Sequence, residues 1–304
     1  MLEGMIVKAL SGYYYVKPHD GGEAVQCRAR GLFKKQGITP LVGDKVLFER
    51  SGDETSDGTV TDVLPRTTEL IRPPIANADT ALLVFAVAEP ALGLQLLDKF
   101  LVHAELAGLR PVICLSKADL LDGEGEEIAA LRERIGSIAA TYESIGYQVF
   151  VTSARLQRDI DKLRSALDGK VTVFAGQSGV GKSSLMNRLV PGLTLETNEI
   201  SQKLGRGKHT TRHVELFPLG ERGLVADTPG FSQLDFPEME PERLSGAFPE
   251  MAELSAECKF RGCLHRSEPG CRVREAVESG SIPASRYEHY GLFLTEIKER
   301  KRRY

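Results

Sequence analysis

No apolar run in the 304-residue chain approaches the ~18 residues of a membrane-spanning helix, so a helical membrane protein is not expected. The start, Met1-Leu2-Glu3-Gly4-Met5, lacks the basic and apolar regions of a secretory signal, which makes the cytoplasm the expected compartment. Cysteine is scarce. Five residues, an odd number, do not make a disulfide scaffold, and three of them crowd into 258–271, where metal chemistry is the better reading. Neither charge dominates: 39 Lys and Arg against 42 Asp and Glu give a net charge of -3, which argues against a uniformly basic nucleic-acid binder. Local patches remain open. Residues 237–257 hold six acids and one base, and residues 258–304 hold eleven bases against six acids. That asymmetry fits a basic surface for phosphate-rich partners or a solvated helical tail. There is no internal repeat and no long low-complexity segment.

What is present, 41% hydrophobic and 27% charged residues, suits a soluble globular chain long enough for two or three domains of roughly 100–200 residues. Residues 1–65 read as short strands separated by Gly, Asp and Pro clusters: 12–16, 24–29, 45–48 and 58–63. Several such strands in ~65 residues suggest an OB-fold-like barrel, a fold that often binds nucleic acid. Alternation sends Tyr14 to one face and Tyr13 and Tyr15 to the other, so the three divide between core packing and a stacking platform.

A proline-rich linker, Leu64–Thr67 and Arg72-Pro73-Pro74, precedes a change of pattern. Residues 81–87 form a continuous apolar run, as in a strand buried on both faces. Alternating helical and strand patterns follow to residue 175, which predicts a parallel α/β sheet within a central domain at 66–236. Residues 237–304 form a third, mainly helical unit carrying the cysteine cluster.

Gly176-Gln177-Ser178-Gly179-Val180-Gly181-Lys182-Ser183 fits G-x-x-x-x-G-K-[ST] and lies between a predicted strand and the helix starting at Ser184. Its backbone N–H groups and helix N-terminus are expected to cradle phosphates. Lys182 would neutralise phosphate charge, and the Ser183 hydroxyl would bind Mg²⁺. Asp227-Thr228-Pro229-Gly230 follows the strand 223–226; Asp227 would orient Mg²⁺ through water, and the Gly230 N–H would sense the γ-phosphate. Between them, 204–213 is glycine-rich and basic. A threonine there, Thr211 or else Thr210, completes Mg²⁺ coordination if the segment is a switch; the alternative is a flexible surface loop.

Ser116-Lys117-Ala118-Asp119 resembles the N-K-x-D guanine motif of GTPases. A carboxylate at Asp119 accepts from guanine N1–H and N2–H₂, donors that adenine lacks, and Lys117 would pack along the base. Ser116 replaces the usual Asn, which is expected to lose reach toward the phosphate loop and to lower affinity. Thr152-Ser153-Ala154 resembles the S-A motif whose backbone contacts guanine O6. In the common order of GTPase motifs these two come last, and here they come first. Circular permutation preserves a packed core when the usual termini lie close together. It also leads the second switch into the C-terminal unit, so nucleotide state should couple to that unit's placement. Phe231 stands where many GTPases carry a water-orienting Gln, so unaided turnover should be slow. His209 is the candidate to position water; the alternatives are a hydrogen-bonded loop histidine or an RNA contact.

Cys258, Cys263, His265 and Cys271 form C-x₄-C-x-H-x₅-C. Three thiolates and one imidazole suit a closed, structural Zn²⁺ site; the alternative is reduced surface cysteines. Cys27 and Cys114, in predicted strands, are expected to be buried packing residues.

A barrel, a permuted GTPase carrying Gly176–Ser184 and D-T-P-G, and this cysteine pattern together resemble the RsgA (YjeQ/YloQ) family over nearly the whole chain. The resemblance implies a GTPase that cycles between GTP and GDP, slow alone and stimulated by the small ribosomal subunit, binding its rRNA and acting in late subunit maturation. It implies a cytoplasmic monomer, zinc on Cys258, Cys263, His265 and Cys271, His209 as the residue positioning water, Thr211 as the switch threonine, and nucleotide contacts along Gly176–Ser184. The competing reading is a GTP-dependent regulator of a protein or metal-delivery complex.

Overall fold

The computed structural model describes residues 1–51, 57–71, 73–195, 214–226 and 235–301, apart from the side chain of Lys34. Strands β1 (Leu2–Leu10), β2 (Tyr13–Pro18), β3 (Val25–Ala29), β4 (Lys45–Glu49) and β5 (Gly58–Val63) close a barrel in the order β1-β2-β3-β5-β4. Helix α1 (Gly31–Gln36) lies between β3 and β4. Sequence reading missed β1. A bulge between Ile6 and Lys8 resets its in–out alternation, so the period-2 signal breaks halfway. In β2 the alternation holds. Tyr14 packs against the core, while on the opposite side Arg28 sits over the Tyr13 ring at 4.7 Å and Lys8 lies 5.9 Å from the Tyr15 centroid.

The expected linker is not a loose connection. It forms the hairpin β6 (Glu69–Ile71) and β7 (Pro74–Ala76), joined to the barrel by a bridge between Val42 and Ile75. Arg66 donates to the fully buried carboxylate of Asp44 from Nε at 2.7 Å and Nη2 at 2.8 Å. Gly43 holds φ 91° with its Cα against the hairpin; a Cβ there would meet Ala76 O at 2.0 Å.

The central sheet comprises β8 (Thr80–Ala86), β9 (Arg110–Ser116), β10 (Gln148–Val151), β11 (Val171–Ala175), β12 (Leu216–Leu219) and β13 (Gly223–Ala226), in the order β10-β9-β8-β11-β13-β12. Only β12 runs antiparallel to its neighbour. Every residue of β8 is buried, as its unbroken apolar run requires of a central strand. One face, with Leu83, Phe85, Ile113 and Val173, packs on α2 (Leu94–Leu106) and α3 (Glu126–Ile145) and continues into the barrel core. The other, with Leu82, Val84, Cys114 and Phe174, packs on α4 (Ile160–Leu167) and α5 (Lys182–Leu189). Cys27 and Cys114 are buried free thiols, as expected. From β8 the chain winds outward through β9 and β10, then returns to β11 on the opposite side of β8. The topological switch point therefore falls between β8 and β11, where ligands of open α/β sheets bind beyond the strand C-termini.

The C-terminal unit holds a 3₁₀ turn at Pro241–Ala247, then α6 (Pro249–Ser255), α7 (Arg272–Glu278) and α8 (Ala284–Lys301). Its core of Phe236, Leu244, Phe248, Met251, Tyr290 and Phe293 takes in Val102 from α2. Arg286 is 1% exposed and binds Asp98 of α2 at 2.7 Å and Glu250 of α6 at 2.6 Å. Arg286 thus leaves the basic-surface count, and Arg300 and Lys301 bind Phe236 O and Glu240. No helix among the described residues is long and apolar enough to cross a membrane.

Candidate functional site

The three candidate loops among the described residues lie at the C-terminal ends of parallel strands β9, β10 and β11. The phosphate loop joins β11 to α5. Gly176 has φ 141° and lies against β8, where a Cβ would meet Val84 O at 2.2 Å, so only glycine fits. Gln177, Ser178 and Gly179 are exposed, while Val180 is buried and anchors the loop. Gly181, with φ 90°, caps α5. Lys182 Nζ donates to Gly176 O at 2.8 Å and to Gln177 O, so its ammonium curls over the loop. Ser183 and Ser184 are half-buried in the first turn of the helix.

The base-side loops are bound to one another. Ala118 N donates to Thr152 O at 2.9 Å, and Thr152 N to Leu115 O at 2.8 Å. Ser153 Oγ donates to Asp119 Oδ1 at 2.6 Å and accepts from Leu156 N at 3.1 Å. Lys117, in a left-handed conformation at φ 58°, donates from Nζ to Glu89 O. The two predicted guanine motifs are therefore one structure, with Asp119 on its rim at 16% side-chain exposure.

Ser116 departs from expectation. Its shorter side chain was expected to lose contact with the phosphate loop, yet Oγ lies 2.6 Å from Val180 O and 3.1 Å from Phe85 O. The loop comes close enough for a hydroxyl to reach. Two arginines at this site were not foreseen. Arg158 binds Asp122 through Nη1 at 2.9 Å and Nη2 at 2.8 Å, and Nη1 lies 3.3 Å from Ala118 O. Arg188 Nε on α5 donates to Ala154 O at 3.0 Å, linking the phosphate helix to the S-A loop. Neither belongs to a motif, so no sequence signal marked them. His209, Thr210, Thr211, Asp227, Gly230 and Phe231 lie outside the described residues.

In the C-terminal unit, the ligand atoms of Cys258, Cys263, His265 and Cys271 lie within 4.8 Å of one another. His265 Nδ1 is 3.3 Å from Cys271 Sγ and 3.6 Å from Cys258 Sγ, and those two sulfurs are 4.0 Å apart. A tetrahedral zinc with Zn–S of about 2.3 Å requires sulfurs about 3.8 Å apart, so the set fits. Ser255 Oγ donates to Met251 O at 2.7 Å and therefore accepts, at 3.1 Å, from His265 Nε2. That places the ring hydrogen on Nε2 and leaves the Nδ1 lone pair facing the sulfurs. Burial pushes the Cys263 thiol up to about 12 and the His265 imidazole down, which keeps both neutral until a cation compensates. Burial also raises the Glu268 carboxyl, but backbone N–H groups, among them Leu264, Arg266 and Ser267 at 2.9–3.0 Å, pull it down to about 2. Tyr287 and Tyr290 of α8 donate to the carbonyls of His265 and Leu264 at 2.6 and 3.1 Å, pinning the loop.

Family models described as RsgA GTPase and RsgA N-terminal domain match residues 63–237 and 3–60. The chain belongs to the RsgA family. Over its full length it is 53% identical to the small ribosomal subunit biogenesis GTPase RsgA of Bacillus velezensis and 51% identical to that of Bacillus subtilis, each relative also covered completely. Among solved structures it resembles YloQ, a circularly permuted GTPase, at TM-score 0.84 and 44% identity, covering 99% of this chain and 96% of that one. YjeQ from Thermotoga maritima also gives TM-score 0.84, at 36% identity over 97% and 98% of the two chains. As an RsgA-family member the chain is a circularly permuted GTPase with a five-stranded N-terminal barrel and a helical C-terminal region.

Proposed function

We propose that this GTPase acts in late maturation of the small ribosomal subunit, binding the subunit and its rRNA and leaving when GTP is hydrolysed to GDP. The full-length similarity to small-subunit biogenesis GTPases carries this reading. The outer barrel face adds a physical reason: Tyr13 under Arg28 and Tyr15 near Lys8 offer rings and positive charge together, the combination that nucleic-acid-binding barrels use.

In this reading Gly176–Ser184 hold the phosphates, with Lys182 countering their charge. Asp119 and Lys117 read guanine, and Ser153 and Ala154 form the wall beneath it. Ser183, Thr211 and Asp227, the last through water, would hold Mg²⁺, which supplies charge neutralisation at the triphosphate. Gly230 reports the γ-phosphate and His209 positions water. Cys258, Cys263, His265 and Cys271 would hold zinc, which would supply a cross-link for the C-terminal loop. The protein works as a cytoplasmic monomer that is slow alone and is stimulated by the subunit.

The experiment is GTP hydrolysis by the chain alone, with purified small subunits and with large subunits as the control. Stimulation confined to small subunits is expected. Equal rates in all three arms would end the proposal while leaving the GTPase assignment intact.

A further inference from the structure

At the end of the sheet opposite the nucleotide loops, a cavity of about 210 Å³ lies on the seam between the GTPase domain and the C-terminal unit. Much of its wall is apolar: Leu109 and Pro111 around the start of β9, Ile145 closing α3, and Pro249 opening α6. Glu105, near the end of α2, and Tyr147, just before β10, bring polar groups to it. None of these residues belongs to a motif or takes part in the nucleotide or cysteine sites.

Neither polar group is fully partnered. Tyr147 is 7% exposed, and its hydroxyl oxygen is shut off from solvent with no hydrogen-bond partner among the described residues. Buried polar atoms left in that state are rare in folded proteins. The Glu105 carboxylate is half-buried and forms no ion pair among the described residues. Burial raises its pKa; the Tyr147 hydroxyl, close by but outside hydrogen-bond geometry, and the Arg286 charge oppose this, and Glu250 adds to it. Arg286 is not available to close the gap, since Asp98 at 2.7 Å and Glu250 at 2.6 Å hold it. Arg110 also borders the cavity, but it is exposed and does not act on Glu105. A negative charge and an oxygen acceptor therefore border one space without a cation between them.

A carboxylate and a hydroxyl on an apolar wall complement an alkylammonium ion. Its head carries three N–H donors and no acceptor, so one donor can go to Glu105 and another to the Tyr147 oxygen while the phenol hydrogen turns to the carboxylate. Its carbon chain can leave water against Leu109, Ile145 and Pro249. A bare divalent cation matches less well, because hard cations take about six or more oxygen ligands and these two side chains offer few. We propose that this cavity binds a small aliphatic primary amine, its ammonium held between Glu105 and the Tyr147 hydroxyl and its carbon chain on the apolar wall. Pro249 comes from the C-terminal unit and the other residues from the GTPase domain, so the occupant joins the two. The proposal stands apart from the ribosomal reading.

The probe is n-butylamine, titrated as its ammonium salt into the full chain and followed by saturation-transfer NMR. Ammonium chloride, 1-butanol and sodium butyrate control for charge, chain and sign. Saturable binding of millimolar order is expected for so small a probe, with no control displacing it at equal concentration. Glu105→Gln should weaken it roughly ten-fold or more, the scale of a hydrogen bond to a charged group, and Tyr147→Phe about five-fold. The second variant also separates a ligand contact from a structural one. Loss of an unpaired hydroxyl should leave the urea midpoint of the empty protein unchanged or higher, whereas loss of a structural hydrogen bond would lower it. Circular dichroism checks that each variant folds; should Glu105→Gln not fold, Tyr147→Phe carries the comparison. No saturable binding, displacement by any of the controls, or an affinity indifferent to the substitutions overturns the proposal.

Discussion

Replacing Arg286 with methionine keeps most of the side-chain volume and removes the charge at the joint between the GTPase domain and the C-terminal unit. The guanidinium is 1% exposed and lies over the Phe248 ring at 4.5 Å. It donates to Asp98 Oδ1 at 2.7 Å and to Glu250 Oε1 and Oε2 at 2.6 and 3.1 Å. Burial opposes its charge, and the Asp98 and Glu250 carboxylates more than offset that, so its pKa is raised. Without Arg286, Asp98 keeps Tyr142 Oη at 2.6 Å and His289 Nδ1 at 2.5 Å, while Glu250 loses both of these bonds. Leaving buried carboxylates without their counter-charge costs about 3–5 kcal/mol. Urea unfolding followed by circular dichroism reads this directly, which suits a chain with no tryptophan. Adding Asp98→Asn to Arg286→Met should cost less than the sum of the single changes, since each charge is costly mainly without the other. A loss under about 1 kcal/mol for Arg286→Met, the size of an exposed ion pair, would refute the view of this cluster as a desolvated joint.

Lys182→Ala should abolish nucleotide binding or turnover; equilibrium binding and phosphate release check this, and unchanged activity would remove the phosphate assignment. Asp119→Asn should relax guanine preference, seen as improved competition by xanthine nucleotides against GTP. Metal analysis should find one zinc per chain, and Cys271→Ser should lose it and loosen the C-terminal unit in limited proteolysis. Glu268 has a depressed folded pKa of about 2, so its contribution is present above its unfolded value and is lost as pH falls from there toward 2. Discounted for solvent screening it is about 1 kcal/mol, so Glu268→Gln should be less stable at neutral pH, with the gap in urea midpoint closing as the solution is acidified below the unfolded value. A gap independent of pH would assign the effect to packing.

The sheet strands were legible because their signal is local. An apolar run such as 81–87 predicts a strand within a residue of Thr80–Ala86, and the phosphate and base motifs fall at strand ends as their chemistry requires. The cysteine spacing likewise brought four ligands together. What escaped was set by tertiary contact. The hairpin of β6 and β7 looked like a proline-rich linker because its strands are very short and what fixes them, the Val42–Ile75 bridge and the Arg66–Asp44 bond, joins residues distant in sequence. Arg286 looked like one more base of a charged tail until the carboxylates of Asp98 and Glu250 came into contact with it. Ser116 was misjudged by side-chain length, because the close approach of the phosphate loop to the end of β9 does not appear in the sequence.

The apolar cluster that runs unbroken from Ile6 and Val46 through Val42 and Ile75 to Ala81 and Leu83 makes the N-terminal barrel a lid over the sheet as well as a separate module. Trimming the first sixty-odd residues would strip that cover and remove the Lys8–Glu215 bridge beside β12. Fragments lacking the barrel should therefore clump through bared oily patches and strand margins. Poor behaviour of such a fragment on ribosomes would reflect its stickiness before any missing RNA grip.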